Sequence, residues 1–143
     1  MEYRLFRRIE YVRYGDMIAK GFTSVDHFIE VANAVLNRRK SRAGKSLEHH
    51  LSAVFDGNAL RYASQPVTEG NKRPDFLFPD AEAYHNPVWP SDRLVFLGAK
   101  TTCKDRWRQI LNEANRIPTK HLFTLQQGIS AQQLDEMEAE RVV

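Results

Sequence analysis

Apolar residues recur three and four positions apart in several stretches of this chain, and this spacing predicts helices with one buried face. The first predicted helix begins at Ser24 or Asp26 and runs to about Arg39. Gly44 marks a joint between this helix and a second one, which is predicted over 46–55 and is stopped near Gly57. Most of the segment from about 24 to 55 is therefore expected to be helical.

The second half contains short apolar runs that predict strands. These runs lie at 59–67, 76–78, 93–102 and 121–125, and the linker between the second and third is expected to be loop with at most one helical turn around 81–84. A third major helix is predicted from Asp105, as its cap, to the residue before Pro118. A last amphipathic helix opens at Ser130 and runs through about Glu140.

This order of elements predicts an α/β domain with a mixed sheet flanked by helices. The strand–helix–strand succession implies one parallel strand pair within the sheet. A length of 143 residues suits one domain over 1–143 with one core. Residues 141–143 resemble the opening of another strand, which is compatible with a C-terminal truncation of the domain.

Composition and charge narrow the class of protein. Hydrophobic residues make up 42% and charged residues 27%, which is ordinary for a soluble globular domain. No apolar stretch approaches the ~20 residues of a membrane span, and the single cysteine, Cys103, suits a reducing cytoplasm. The net charge is only +3, but basic residues cluster near 38–45, 72–73 and 104–108. Such clusters can line a phosphate-binding surface, although solvated helix faces are the alternative.

Asp75 and Lys100 are the most informative pair of polar residues. Asp75 follows Pro74 at the entrance of one predicted strand, and Lys100 ends the apolar run of the next. Folds that cleave DNA with Mg²⁺ use this arrangement, because the carboxylate offers oxygen to the metal and the ammonium lies beside the scissile phosphate. The alternatives are a turn started by Asp75 and a strand-end lysine that reaches solvent.

A second acid is expected near this pair. Residues two apart on a strand face the same side, so an acid at position 98 would stand beside Lys100, but the residue there is Gly98. Glu113 is the best substitute, because a helix packed on the strand could deliver its carboxylate into the space that a glycine leaves open. The alternative is a solvated helix glutamate.

Glu48, on the edge of the second predicted helix, is the other plausible acid. It could bind a metal directly or through water. The alternative is an exposed glutamate or a salt bridge to Lys45 or Arg42.

Four segments together resemble a known family. They are RRKSRAGKSLE at 38–48, KRPDFLFP at 72–79, AKTTCKDRWRQ at 99–109 and NEANRIP at 112–118. They are similar, in the same order, to the C-terminal catalytic domain of EcoRII-type restriction endonucleases. The segment that contains Lys100 is the most specific of the four.

The resemblance implies a PD-(D/E)xK nuclease in which the second acid has moved to the following helix. On this basis Asp75, Lys100 and Glu113 are expected to carry catalysis, and Asp75 and Glu113 to hold Mg²⁺. Glu48 matches an auxiliary acid, and Tyr84 a polar neighbour of the site. Related enzymes are homodimers that require Mg²⁺ and cut double-stranded DNA at short sites such as CC(A/T)GG.

The resemblance also points to residues that contact DNA. Lys104, Asp105 and Arg106 resemble the family's reader segment, and these residue types suit a GG/CC step, because Arg and Lys donate to guanine and Asp accepts from cytosine. Lys72 and Arg73 are expected to bind DNA as well. The alternative is that Asp105 caps a helix and its neighbours contact phosphates.

Three functional hypotheses follow. The first is a type II restriction endonuclease domain that cuts both strands of DNA with Mg²⁺. The second is a catalytically silent DNA-binding or dimerisation remnant of such an enzyme, and the third is a nicking or repair nuclease of the same fold. The presence of Asp75, Lys100 and Glu113 together favours the first.

Overall fold

A computed structural model describes residues 2–143, which divide into two compact units. The first unit ends at Ser41, and the second is Arg42–Val143. The helices and strands are α1 (Glu2–Lys20), α2 (Val25–Gly57), β1 (Ala63–Ser64), β2 (Phe76–Phe78), α3 (Ala81–His85), β3 (Val95–Lys100), β4 (Lys120–Thr124) and α4 (Ala131–Ala139). Shorter 3₁₀ segments cover Glu69–Asn71, Ser91–Arg93 and Lys104–Asn112. The single domain expected over 1–143 stays a prediction.

The first unit contains α1 and the beginning of α2. Arg39 donates two hydrogen bonds, each 2.8 Å long, to the carboxylate of Glu10. Phe22 packs edge-on against His27 and Phe28 at the turn between the helices. The helix α1 is absent from the elements that the apolar spacing predicts. Among residues 2–143, no helix combines the length and the apolar character needed to cross a membrane.

In the described part of the chain, the four strands form one mixed sheet in the order β1-β2-β3-β4. β2 is antiparallel to both β1 and β3, whereas β3 and β4 are parallel. In the parallel pair, Phe96 lies opposite Lys120 and Lys100 lies opposite Thr124. The predicted α/β fold with a mixed sheet and one parallel crossover is therefore confirmed.

The sheet separates two apolar clusters, because successive residues of a strand point to opposite faces. Phe96 packs on one face with Trp107 and Ile110. On the other face, Phe76 packs with Phe55 of α2. Burying one such side chain contributes about 1.5–3 kcal/mol. This packing fixes the positions of β2 and β3. It therefore also fixes the start of β2, which Asp75 precedes, and the end of β3, which is Lys100.

The helix α2 is one continuous helix of 33 residues, so the predicted joint at Gly44 is wrong. Glycine inside a helix costs only about 1 kcal/mol relative to alanine. The same helix buries Leu47 and Phe55 against the sheet, and that burial exceeds the cost of the glycine.

The predicted α-helix over 105–117 is also wrong. The chain forms a 3₁₀ segment, Lys104–Asn112, that ends before Glu113. Three residues per turn place Trp107 and Ile110 on the same side of the segment, and both are buried. Cys103 occupies the N-cap position and makes no side-chain cap, so Asp105 is not the cap.

The strand predicted over 59–67 is much shorter, only Ala63–Ser64. Extended structure is interrupted on both sides, because Ala59 has a φ of 53° and Gln65 a φ of 48°. These left-handed conformations do not continue a strand.

The C-terminal elements follow the prediction closely. The Ser130 side chain accepts a hydrogen bond from the Gln133 amide and caps α4. After α4, Val142 forms a parallel bridge with Lys120. The strand-like character expected of 141–143 is thus realised as pairing beside β4.

Candidate active site

Asp75 and Lys100 meet at one edge of the sheet. Asp75 lies one residue before β2, and Lys100 is the last residue of β3. The Asp75 Oδ2 atom accepts hydrogen bonds from the Ala99 amide at 2.7 Å and from Lys100 Nζ at 2.8 Å. Both side chains are largely sheltered, with 11% of Asp75 and 18% of Lys100 exposed. The antiparallel pairing of β2 and β3 thus converts a separation of 25 residues into a direct ion pair.

Glu113 lies within electrostatic reach of this pair. It directly follows the 3₁₀ segment and has an extended backbone, with φ −92° and ψ 144°. Its Oε2 atom is buried and has no hydrogen-bond partner among the described residues. Burial raises the pKa of Glu113, the charge of Lys100 lowers it, and the charge of Asp75 raises it. The Glu113 carboxyl group is therefore influenced by the charges of both Lys100 and Asp75.

Gly98 has a different role from the one predicted. A Cβ atom at this position would lie 3.0 Å from the Ile110 side chain, which is tighter than an ordinary contact. The space beside the glycine is therefore filled by Ile110, which is fully buried, and not by the Glu113 carboxylate. Close packing of the 3₁₀ segment on β3 explains why no side chain, acidic or otherwise, stands at position 98.

The donor set fits a hard divalent cation. Within residues 2–143, no three histidine, cysteine, aspartate or glutamate side chains come together as a group that could hold a metal. Mg²⁺ is commonly bound through one or two carboxylates, with water and phosphate oxygens completing its shell. Asp75 and Glu113 provide two carboxylates. The unpartnered Oε2 of Glu113 is the kind of buried oxygen that a cation would satisfy.

Glu48 reaches the neighbourhood of Asp75 from α2 through an intermediary. Its Oε2 atom accepts a hydrogen bond of 2.7 Å from the Gln65 side chain. The Gln65 amide in turn donates to the Asp75 carbonyl at 3.0 Å. Glu48 is thus linked to the main chain of Asp75 rather than to its carboxylate, and Gln65 is a contact that the sequence did not suggest.

Tyr84 is buried, but its hydroxyl is directed to another acid. The hydroxyl donates to Glu69 Oε1 at 2.5 Å. Burial and this hydrogen bond raise the pKa of Tyr84 well above its usual range. Although burial alone would raise the pKa of Glu69, the bonds from Tyr84 and from backbone amides lower it overall. Tyr84 therefore bonds Glu69 through its hydroxyl and Arg116 through its carbonyl, to which the Arg116 guanidinium donates.

The predicted DNA contacts are accessible. Lys104, Asp105 and Arg106 are all exposed at the start of the 3₁₀ segment that follows β3. Arg73 is exposed as well, whereas the Lys72 ammonium donates to the Asn112 carbonyl at 2.7 Å. The basic side chains nearest along the chain to Asp75 and Lys100 thus lie on the surface, except that Lys72 is partly engaged.

Lys120 is a residue that the sequence reasoning missed. It is only 3% exposed, and its ammonium donates to the carbonyls of Glu113 and Ala114. Burial lowers its pKa to about 8, while the charges of Glu113 and Glu69 act in the opposite direction. The sequence did contain a signal for this residue, because Lys120 begins an apolar strand. A charge buried there is costly unless it is bonded, so a bonding partner could have been expected.

Comparison with known proteins gives a consistent result. A family model described as EcoRII C terminal matches residues 6–143. The type II restriction enzyme EcoRII of Escherichia coli is 59% identical over 138 residues, which are 96% of this chain and 34% of that enzyme. This chain therefore spans about a third of the length of that relative.

Two solved structures share the fold. Metal-depleted Ecl18kI in complex with uncleaved, modified DNA has a TM-score of 0.67 and 23% identity, over 94% of this chain and 44% of that chain. Metal-depleted Ecl18kI in complex with uncleaved DNA has a TM-score of 0.65 and 24% identity, over 97% of this chain and 49% of that chain.

Proposed function

This chain belongs to the EcoRII C-terminal family, and on that premise we propose that it is the catalytic domain of a type II restriction endonuclease. The proposed reaction is hydrolysis of phosphodiester bonds in both strands of DNA at a short CC(A/T)GG-like site, with Mg²⁺ as cofactor. The relative EcoRII is a type II restriction enzyme, and the solved Ecl18kI structures are complexes with DNA. Both facts support DNA as the substrate.

The observation that carries this proposal is the sheltered ion pair of Asp75 and Lys100, whose charges also act on the carboxyl group of Glu113. An ion pair alone is weak support, because such pairs are common in proteins. The additional feature is the buried, unpartnered carboxylate oxygen of Glu113. Buried polar atoms are normally bonded, so an exception next to a carboxylate–lysine pair favours a site that binds a cation.

Each residue then has a defined task. Asp75 and Glu113 would hold Mg²⁺, which when bound supplies positive charge to the phosphate and acidifies water at the site. The Lys100 ammonium is held by Asp75 at 2.8 Å, and from there it orients the attacking water by hydrogen bonding. The same ammonium offsets the negative charge that develops on the phosphate during attack. The Ala99 amide fixes the Asp75 carboxylate, so little reorganisation is required.

Sequence recognition is assigned to Lys104, Asp105 and Arg106. These residues follow Lys100 closely along the chain and are exposed, so that a bound phosphate and the adjacent base edges could be reached together. Arg and Lys donate to guanine O6 and N7, and Asp accepts from cytosine N4. Asp105 does not occupy the N-cap position, which is taken by Cys103, and it is exposed, so its carboxylate could reach a base. Lys72 and Arg73 would contact phosphates and position the duplex.

Two copies of the chain are needed for the proposed reaction. A CC(A/T)GG site has nearly the same sequence on both strands, and one active site cuts one strand. A homodimer with twofold symmetry presents the same surface to each half of such a site. We therefore propose a homodimer as the cutting species.

The test is cleavage of plasmid DNA that carries CC(A/T)GG sites, with and without Mg²⁺, followed by mapping of the fragment ends. The variants are Lys100→Ala and, as a matched control, Lys20→Ala on the exposed surface of α1. Mg²⁺-dependent fragments that end at those sites, lost in Lys100→Ala and kept in Lys20→Ala, are expected.

Other outcomes would replace the proposal. Plasmid that stays intact while DNA is still retarded on a gel would favour the silent DNA-binding or dimerisation remnant. Cuts in one strand, or cuts at mismatches, would favour a nicking or repair nuclease. Fragments unaffected by Lys100→Ala would remove Lys100 from the site.

A further inference from the structure

The position of Glu113 calls for a physical explanation. A glutamate on an α-helix would be held by the helix, but Glu113 lies in an extended conformation just after the 3₁₀ segment. The next residue, Ala114, has a φ of 50° and is fully buried. A left-handed conformation costs an L-residue roughly 1–2 kcal/mol. Such a backbone persists only when its surroundings hold it in place.

Two lysines hold this turn by its carbonyl groups. Lys72 Nζ donates to the Asn112 carbonyl at 2.7 Å. Lys120 Nζ donates to the Glu113 carbonyl and, at 2.7 Å, to the Ala114 carbonyl. Three consecutive carbonyls are therefore each bonded to an ammonium group. Hydrogen bonds to charged groups are stronger than those between neutral groups.

Lys120 differs from a lysine that simply neutralises an acid. Its charge influences the Glu113 carboxylate, but its hydrogen bonds go to the main chain, and Glu113 Oε2 stays unpartnered. Its ammonium also lies 5.0 Å from the centre of the Phe96 ring. A buried charge is costly unless it is well bonded. Here the bonding groups are the carbonyls that set the direction of the Glu113 backbone.

The base of Lys120 is itself rigid. Its amide donates to the Arg141 carbonyl, and its carbonyl accepts from the Val143 amide, both at 2.9 Å. It also pairs with Phe96 across the parallel strands. The main chain of Lys120 is thus held between β3 on one side and residues 141–143 on the other. Its ammonium group can therefore hold the turn in one position.

From this geometry we infer that Lys120 is a positioning residue, which places the Glu113 carboxylate beside Asp75 and Lys100 by binding the carbonyls of Glu113 and Ala114. The inference rests on the proposed function only in that the carboxylate so placed is a metal ligand. Lys72 supports the same turn from the carbonyl of Asn112.

The first test is hydrogen exchange of single amides in Lys120→Met, which keeps an unbranched side chain, shorter by one atom, and removes its donors. The probes are the Asn115 amide, which donates to Glu69, and the Ile117 amide, which donates to the Ala114 carbonyl. After correction for global stability, exchange at both is expected to accelerate about tenfold or more. Amides of β3 should not accelerate beyond the global change.

The second test is Mn²⁺ binding by the full chain, measured by electron paramagnetic resonance. Lys120→Met is expected to weaken Mn²⁺ binding about as much as Glu113→Gln does, while its affinity for DNA without divalent ions stays that of the unaltered chain. Lys120→Gln, which keeps a neutral donor, should recover part of the binding. Lys72→Met provides a second variant at an exposed residue, and it should show a smaller loss of Mn²⁺ binding, because Lys72 bonds only the Asn112 carbonyl of the turn. Its DNA affinity is not used as a control, because Lys72 is also a proposed phosphate contact.

The outcomes separate the two proposals. Unchanged exchange at Asn115 and Ile117 in Lys120→Met would overturn the positioning role. Faster exchange with unchanged Mn²⁺ affinity would overturn it too, since the carboxylate would then be placed without Lys120. If the unaltered chain binds no Mn²⁺ and cuts no DNA, the proposed function fails, and the exchange rates alone decide whether Lys120 holds the turn. Should Lys120→Met not fold, Lys72→Met and Lys120→Gln decide the matter.

Discussion

Replacing Glu113 by glutamine should stabilise the chain when no divalent ion is present. The Glu113 Oε2 atom is buried without a partner, and burial raises the pKa of the carboxyl group. Ionising this carboxyl group in the folded chain therefore costs more free energy than ionising it in water. Glutamine has nearly the same shape and no charge, so it removes this cost.

The expected size follows from the environment of the carboxylate. Leaving a buried group without a partner costs about 1–3 kcal/mol, and more when the group is charged, so glutamine removes only the part of the cost that is due to the charge. Attraction to Lys100 offsets part of this cost, and repulsion from Asp75 adds to it, so we expect a net gain near the lower end. For a chain of this length, such a gain corresponds to a rise in Tm of roughly 3–8 °C.

The effect should depend on pH in a defined direction. The pKa of Glu113 in the folded state lies above its ordinary value of 4.5, so the folded chain binds this proton more tightly than the unfolded chain. The stability that this gives is complete below pH 4.5 and is lost as pH rises through the folded pKa. The glutamine variant should not lose this stability as pH rises. The difference in Tm between Glu113→Gln and the unaltered chain should therefore grow with pH.

The assay is thermal unfolding in a chelator at about pH 5 and about pH 8, with Glu138→Gln as the control on the exposed side of α4. Mg²⁺ should then raise the Tm of the unaltered chain, because a ligand of the folded state stabilises it, and should leave Glu113→Gln unchanged. A lower Tm for Glu113→Gln at both pH values, or an equal Mg²⁺ shift in both proteins, would refute this reasoning.

Three further predictions concern the surrounding residues. Tyr84→Phe should lose about 1–3 kcal/mol of stability in denaturant unfolding, because Glu69 loses the hydroxyl that donates to it. Its cleavage rate should fall far less than that of Lys100→Ala, and an equal fall would make the hydroxyl catalytic. Gly98→Ala should lose roughly 1–3 kcal/mol in the same assay, because the new methyl group would crowd the Ile110 side chain, and a neutral result would show that the 3₁₀ segment can move. Asp105→Ala should weaken binding to CC(A/T)GG duplexes in gel-shift titrations by about 1–3 kcal/mol and leave binding to unrelated duplexes unchanged; an equal loss on both would make it a general contact.

The strands that carry the site could be predicted from local pattern. The apolar runs at 76–78 and 93–102 contain β2 and β3. Asp75 and Lys100, which are expected from the sequence to share a site, form an ion pair. Local pattern suffices here because an antiparallel pair brings the start of one strand to the end of the other. The Ser130 cap of α4 is predictable for the same reason, since its signal lies within four residues.

The parts that could not be predicted depend on contacts between distant residues. Gly44 does not break α2, because packing of the helix on the sheet outweighs a local cost. The turn at Glu113 is held by lysines that lie 40 residues before Asn112 and 7 residues after Glu113. No local spacing reports such contacts. A helix and a 3₁₀ segment also share apolar residues three apart, which explains the wrong assignment after Asp105.

The central claim is that Asp75, Lys100 and Glu113 form one Mg²⁺-dependent site for cutting DNA, and single-turnover cleavage of a duplex with one CC(A/T)GG site tests it most directly. Rates would be compared at saturating protein for the unaltered chain, Asp75→Asn, Lys100→Met and Glu113→Gln, with Glu138→Gln as the control. The account predicts a rate that requires Mg²⁺ and falls at least about a hundredfold in each of the three variants, with DNA binding retained. Cleavage without divalent ions, or a variant among the three that cuts at the unaltered rate, would contradict it.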